Sequence, residues 1–112
     1  MKSFFLTSLL ALILTSASAQ VKAELTVAGN CDMCKKRIET AVDLKGVKSG
    51  IWDKKTHVLQ LDYNPQKISL EQIAQEISKA GHDNSLFRAD SLAYEKLHDC
   101  CHYERIQPTA KK

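Results

Sequence analysis

The stretch VKAELTVAGNCDMCKKRIETAV, residues 21–42, changes its period halfway along. Val21, Ala23, Leu25 and Val27 alternate with Lys22, Glu24 and Thr26, which is the two-residue period of a half-buried strand. Ala28-Gly29-Asn30 breaks the alternation. Beyond Cys34, the apolar residues Ile38, Ala41 and Val42 recur at helical spacing, and Lys35, Lys36, Arg37 and Glu39 fall on the outward side. The unit therefore reads strand, loop, helix, with Cys31 and Cys34 at the junction.

The reading extends from that unit in both directions. Lys45-Gly46 ends the helix, and residues 47–52 read as a second strand that Ser49-Gly50 weakens. Residues 53–56 make a polar hairpin loop. Residues 58–63 form a third strand with Leu59 and Leu61 on one face, stopped by Asn64-Pro65 because proline cannot continue a ladder. Ser69 with Gln72 three residues on is a capping-box signature, and Leu70, Ile73, Ala74 and Ile77 follow at helical spacing. Gly81 suits a left-handed helix end. Leu86-Phe87 reads as a short fourth strand, residues 91–98 as a last helix with Leu92 and Leu97, and the polar tail after Tyr103 as frayed. This order predicts an α+β, ferredoxin-like βαββαβ sandwich: a four-stranded antiparallel sheet, two helices on one face, and a short C-terminal helix.

The first residues read as an address. Lys2 supplies a positive start, residues 4–14 an apolar run too short to span a membrane, and Ala17-Ser18-Ala19 a small-x-small cleavage pattern. The competing reading is a buried N-terminal helix. The expected division is a cleavable signal peptide over residues 1–19, one main domain over 20–89, a C-terminal helix with a Cys-Cys-His segment over 90–103, and a flexible tail over 104–112. Such a chain is exported, to a periplasm or an equivalent space. The formal net charge of +3 comes from mixed signs with no basic stripe, which argues against nucleic acid as a partner. No second apolar span follows, so the mature chain is expected not to insert in a membrane, and to be a monomer.

All four cysteines, Cys31, Cys34, Cys100 and Cys101, lie after the signal segment. An even count in an oxidising compartment points to disulfides. Both pairs are local, however, and a local bridge restricts the unfolded chain little, so a chemical role is expected. Two cysteines three apart at a helix start can aim both sulfurs at one ion. The free N–H groups and the helix dipole there favour thiolate, the form that binds metal. Thiolates select soft ions, Cu(I) foremost, with Zn(II) also acceptable. A two-sulfur site stays open to an incoming ligand, which suits handing the ion on. No Ser-His-Asp set, paired carboxylates or phosphate loop is visible, so an enzyme is not expected.

The Cys-x-x-Cys at Cys31 and Cys34, Ile38-Glu39, Gly46-Val47 and Ala80-Gly81 together resemble the heavy-metal-associated domain over residues 21–89. That family includes small copper chaperones, mercury-binding periplasmic proteins and the N-terminal modules of metal-pumping ATPases. The resemblance implies that Cys31 and Cys34 are metal ligands and that a metal-transporting pump or efflux protein is a partner. Hg(II) scavenging is a close variant, because Hg(II) and Cu(I) take the same ligands. Gly29 stands where the family usually has a methionine that packs the metal loop, and Met33 lies between the cysteines, where partial exposure is expected over metal ligation because a thioether is a weaker donor than a thiolate.

His82 falls in the loop that the fold brings towards Cys31, either solvated or near the metal as some family members have it. Cys100-Cys101-His102 lies beyond the family core and suggests a second metal arm. Chain lengths allow it to reach the first site without requiring it. A disulfide within the tail, or from the tail to Cys31 or Cys34, is the competing reading. Trp52 and Tyr63 are expected to cover the sheet or its edge, and His57 to face solvent. Two other classes remain: a thiol–disulfide oxidoreductase, disfavoured because no Trp precedes Cys31 and no Pro lies between the pair, and a zinc module closed by all four cysteines.

Overall fold

Leu25 from one strand and Leu59 and Leu61 from its antiparallel neighbour point inward, and the hydrophobic layer they begin sets the architecture. In this computed structural model, residues 19–109 are described. The signal-peptide expectation falls almost wholly outside them. The sheet runs β1 (Val21–Thr26), β2 (Val47–Trp52) and β3 (Val58–Tyr63) in the spatial order β1-β3-β2. Val21 faces Tyr63 and Leu25 faces Leu59 in the β1–β3 ladder. The β2–β3 register slips between Val47 and Ser49, where the sequence already weakened the strand. Gly50 is obligatory nearby: a Cβ there would stand 2.5 Å from Val42 Cγ2 on the helix above.

Helix α1 (Asp32–Ala41) buries Cys34 and Ile38, and α2 (Leu70–Lys79) buries Ile73, Ala74 and Ile77 in the same cluster as the sheet leucines. Each of the leucine and isoleucine side chains contributes about 1.5–3 kcal/mol when fully buried. The capping box at Ser69 and Gln72 is present. Gly81 has φ +102° and also lets α3 (Ser91–Glu95) approach, since a Cβ would lie 2.9 Å from Ala93 O. Glu39 does not face outward: its Oε2 accepts from Trp52 N (3.0 Å) and Lys35 Nζ (2.7 Å), while Lys35 also donates to Trp52 O, tying the end of β2 to α1.

Several expectations are corrected. Leu86-Phe87 is no strand: one isolated antiparallel bridge, Val27 to Asn84, stands where a fourth strand was expected. The cause is Asn84, whose Oδ1 accepts from Leu86 N (3.1 Å) and Phe87 N (2.9 Å) while its own N–H donates to Phe87 O (2.8 Å). That side chain curls the backbone into a turn, away from a ladder. The last helix ends at Glu95, short of His98, because Leu97 turns inward over Gly81; a 3-10 turn, η1 (Asp99–Cys101), follows. Nor are residues 104–109 frayed. Arg105 and Ile106 bind Asp83, and Thr109 N donates to Ser85 O at 3.0 Å. Trp52, expected at a sheet surface or edge, is 1% exposed, and His57, expected in solvent, is half-buried and stacks on it at 5.8 Å.

Candidate metal centre

Cys31 is the N-cap of α1, with an extended backbone (φ −141°), and Cys34 lies in the first turn. This places Cys31 at the surface edge and Cys34 fully inside the core, with 3.3 Å between their sulfurs. The loop before them is supported from below by Trp52. Its Nε1 donates to Val27 O (2.9 Å), and its ring lies where a Cβ on Gly29 would meet it at 3.0 Å. The indole thus fills the space beneath the loop beside Gly29.

The C-terminal arm brings the other two sulfurs. Cys101 is fully buried at the end of η1, its Sγ 3.1 Å from Cys31 Sγ. The sulfurs of Cys31, Cys34 and Cys101 all lie within 4.8 Å of one another. Cys100 is exposed, its Sγ 3.3 Å from Cys31, 3.9 Å from Cys101 and 3.7 Å from Met33 Sδ. Met33 is 45% exposed, as its place between the cysteines implied. All four cysteines are free thiols in this arrangement.

The cluster polarises itself. Burial pushes the Cys31 thiol up, but hydrogen bonding from Cys101, from the Cys34 amide and thiol, and from Cys100 brings it down from 9.0 to about 7. Cys101 moves strongly upward, through burial first and then its hydrogen bonds to Cys34 and Cys31. Cys100 moves up mainly through its bond to Cys31. The anion is therefore favoured at one sulfur, and its neighbours serve as donors to it.

His82 and His102 stay outside the sulfur group. His82 is not solvated: it is fully buried, its Nδ1 lies 2.9 Å from Ala28 O, and its ring stacks on Tyr103 at 5.5 Å. Burial lowers its pKa, and the neutral ring braces the loop backbone three residues before Cys31. His102 is exposed, 4.0 Å from an Asp99 oxygen and 5.2 Å from the Tyr94 ring.

Sequence reading missed the groups that hold the arm in place. Tyr103 Oη donates to Gly81 O (2.6 Å) and accepts from Asp83 N (2.7 Å). Asp83, fully buried, accepts from Arg105 Nε (3.0 Å) and Nη2 (2.8 Å), Ala89 N (2.7 Å) and Ile106 N (3.0 Å). Burial alone would raise that carboxyl, but these donors outweigh it and hold it below its ordinary range. Arg105 also lies over the Tyr94 ring at 4.7 Å, and Tyr94 Oη donates to Tyr103 O. The unbroken polar run His82-Asp83-Asn84 after a helix stop was the available signal.

The chain matches the heavy-metal-associated domain family over residues 24–83. Among solved structures it is similar to the CopZ metallochaperone, at 26% identity and TM-score 0.55, covering 57% of this chain and 98% of that one. It is likewise similar to the Cu(I)-loaded N-terminal domain of a potential copper-translocating P-type ATPase from Bacillus subtilis, at 25% identity and TM-score 0.56, over 59% of this chain and 85% of that one. Oxidized MerP from Ralstonia metallidurans CH34 shares the fold at 22% identity and TM-score 0.57, over 60% and 96%. No curated protein sequence matches. Among the described residues, no helix is long and apolar enough to cross a membrane.

Proposed function

Since this chain belongs to the heavy-metal-associated domain family, a family of metal carriers and not of enzymes, we propose that it binds a soft metal ion, Cu(I) foremost, and hands it on by thiolate exchange. Cys31, Cys34 and Cys101 are the ligands of this reading. The observation that carries it is the convergence of three sulfurs from two distant parts of the chain within 4.8 Å. Soft thiolates in low coordination number suit Cu(I) and Hg(II) better than harder ions. Cys31 sits at the rim, so a partner's thiolate attacks there while Cys34 and Cys101 still hold the ion. Each exchange replaces one metal–sulfur bond by another.

Export through residues 1–19 and delivery to a metal-transporting pump or efflux protein belong to the same proposal. Of the similar structures, one is the CopZ metallochaperone and another a Cu(I)-loaded domain of a potential copper-translocating P-type ATPase, which supports Cu(I) over Hg(II).

The test is an anaerobic Cu(I) titration of the reduced chain against a competing chelator, repeated with Hg(II) and Zn(II). Tight binding of one Cu(I), weakened by Cys31→Ser, Cys34→Ser and Cys101→Ser, supports the proposal. Binding that is weak, or indifferent to these substitutions, removes it.

A further inference from the structure

Cys100 and Met33 play no part in the three-thiol site, yet their sulfurs meet each other and Cys31 at the surface. Cys100 Sγ lies 3.7 Å from Met33 Sδ and 3.3 Å from Cys31 Sγ. Met33 comes from the first turn of α1 and Cys100 from η1, so the fold, and not sequence adjacency, makes the meeting. Both residues are exposed, whereas Cys34 and Cys101 are wholly buried. Exposed methionine normally costs apolar contact with water and finds little to gain there. Here its thioether faces a thiol beside a rim cysteine, and a thioether with thiolates is a donor set for Cu(I).

We propose that Cys31, Cys100 and Met33 form a second, outer station for Cu(I), joined to the inner station of Cys31, Cys34 and Cys101 by a shared Cys31 sulfur. A thiolate has lone pairs enough to bridge two ions. Cys31 is the one sulfur within 3.3 Å of partners on both sides, Cys34 and Cys101 inward and Cys100 outward. On binding, the Cys100 thiol gives its proton to solvent, a Cu–S bond forms, and no electron is transferred. The outer ion is bound more weakly, since one donor is a neutral thioether and the position is open to water. This inference rests on the inner site binding Cu(I), and deepens that reading: an incoming ion meets the exposed sulfurs before the buried ones.

Native mass spectrometry of the reduced chain during anaerobic Cu(I) titration reads ions per monomer. The expected result is one ion at low copper and two at excess, with a copper–copper path in X-ray absorption of the doubly loaded form. The double variant Cys100→Ser, Met33→Leu should stop at one ion, with that first ion still bound through Cys31, Cys34 and Cys101. Both positions are exposed, so the variant is expected to fold, and its circular dichroism checks that. If the first ion fails to bind, the inner-site proposal falls. If the first binds and wild type stops at one, if the double variant still takes two, or if the second ion appears only in dimers, the outer station falls alone.

Discussion

The Cys31–Cys34 loop and the Cys100–Cys101 turn bring sulfur to one place by different means. The first is an integral part of the fold. Its backbone runs from β1 into α1, its inner cysteine sits in the core with Ile38, and Trp52 closes the space beneath it. The second is an addition. It has one short helix, one 3-10 turn and few apolar anchors, chiefly Leu97, Cys101 and Tyr103. Specific polar contacts replace the missing hydrophobic area: the Tyr103 hydroxyl between Gly81 and Asp83, and the Arg105 guanidinium on Asp83. A core-built site tolerates loss of individual polar contacts, whereas a strap held by a few of them can be released by one substitution.

The largest effect is expected where the two regions meet. Cys31→Ser removes the sulfur shared by the three shortest sulfur contacts, those to Cys34, Cys100 and Cys101, and should lower Cu(I) affinity by more than the roughly 10–100-fold typical for losing a group behind a ligand. Chelator competition measures it. Next comes Arg105→Ala. It leaves the buried Asp83 charge without its cation, a loss of about 3 kcal/mol by the usual cost of breaking a buried pair, and should free the arm that carries Cys101. Thermal unfolding reads the stability. The titration should then show a chain still binding through Cys31 and Cys34, with weaker affinity. Acid should act on the same lock. Asp83 has its pKa held below 3.8, so its contribution is complete above that value and disappears as pH falls further, through the folded pKa. The arm is expected to stay docked at pH 5, and a melting temperature that drops between pH 7 and 5 through loss of Arg105–Asp83 pairing would contradict this.

This contrast also explains what was legible in the sequence. The first region obeys periodicity: alternating Val21, Ala23 and Leu25, helical Ile38 and Val42, and a capping box at Ser69 all became the elements they implied. Leu86-Phe87 carried the right residue types for a strand, but Asn84 captured its amides first, and one polar side chain outweighed a two-residue propensity. The tail looked frayed because Tyr103, Arg105 and Ile106 show no period; their order comes from Asp83, some twenty residues away in sequence and visible only once the chain is folded. The meeting of Cys101 with Cys31 was within reach on chain length, and the lock that enforces it was not. His82 was placed near the loop, yet its burial and its bond to Ala28 O depend on Tyr103 closing over it.

Gly29→Met tests whether Trp52 has taken the space of the usual loop methionine. A Cβ at Gly29 already meets Trp52 at 3.0 Å and Cys34 Cβ at 3.1 Å, so the longer side chain should overpack the core loop and cost about 1–3 kcal/mol. Pairing it with Trp52→Ala should recover part of that loss, because the two residues compete for one volume. Additive losses in thermal unfolding would mean that the indole and the loop are independent.

The smallest effect needs no metal. With the chain reduced and apo, Cys31 should react with iodoacetamide with a midpoint near pH 7, not 9, because hydrogen bonds from its neighbours hold it as thiolate. The largest of those lowering contributions comes from Cys101, across from the appended arm. Cys101→Ala should therefore move the midpoint upward while leaving α1 and its N-terminus in place. Arg105→Ala should move it the same way, by releasing the arm that brings Cys101 to Cys31. If both variants alkylate at Cys31 with the wild-type pH profile, the strap has no electrostatic hold on the loop, and its contribution would be confined to donating a ligand.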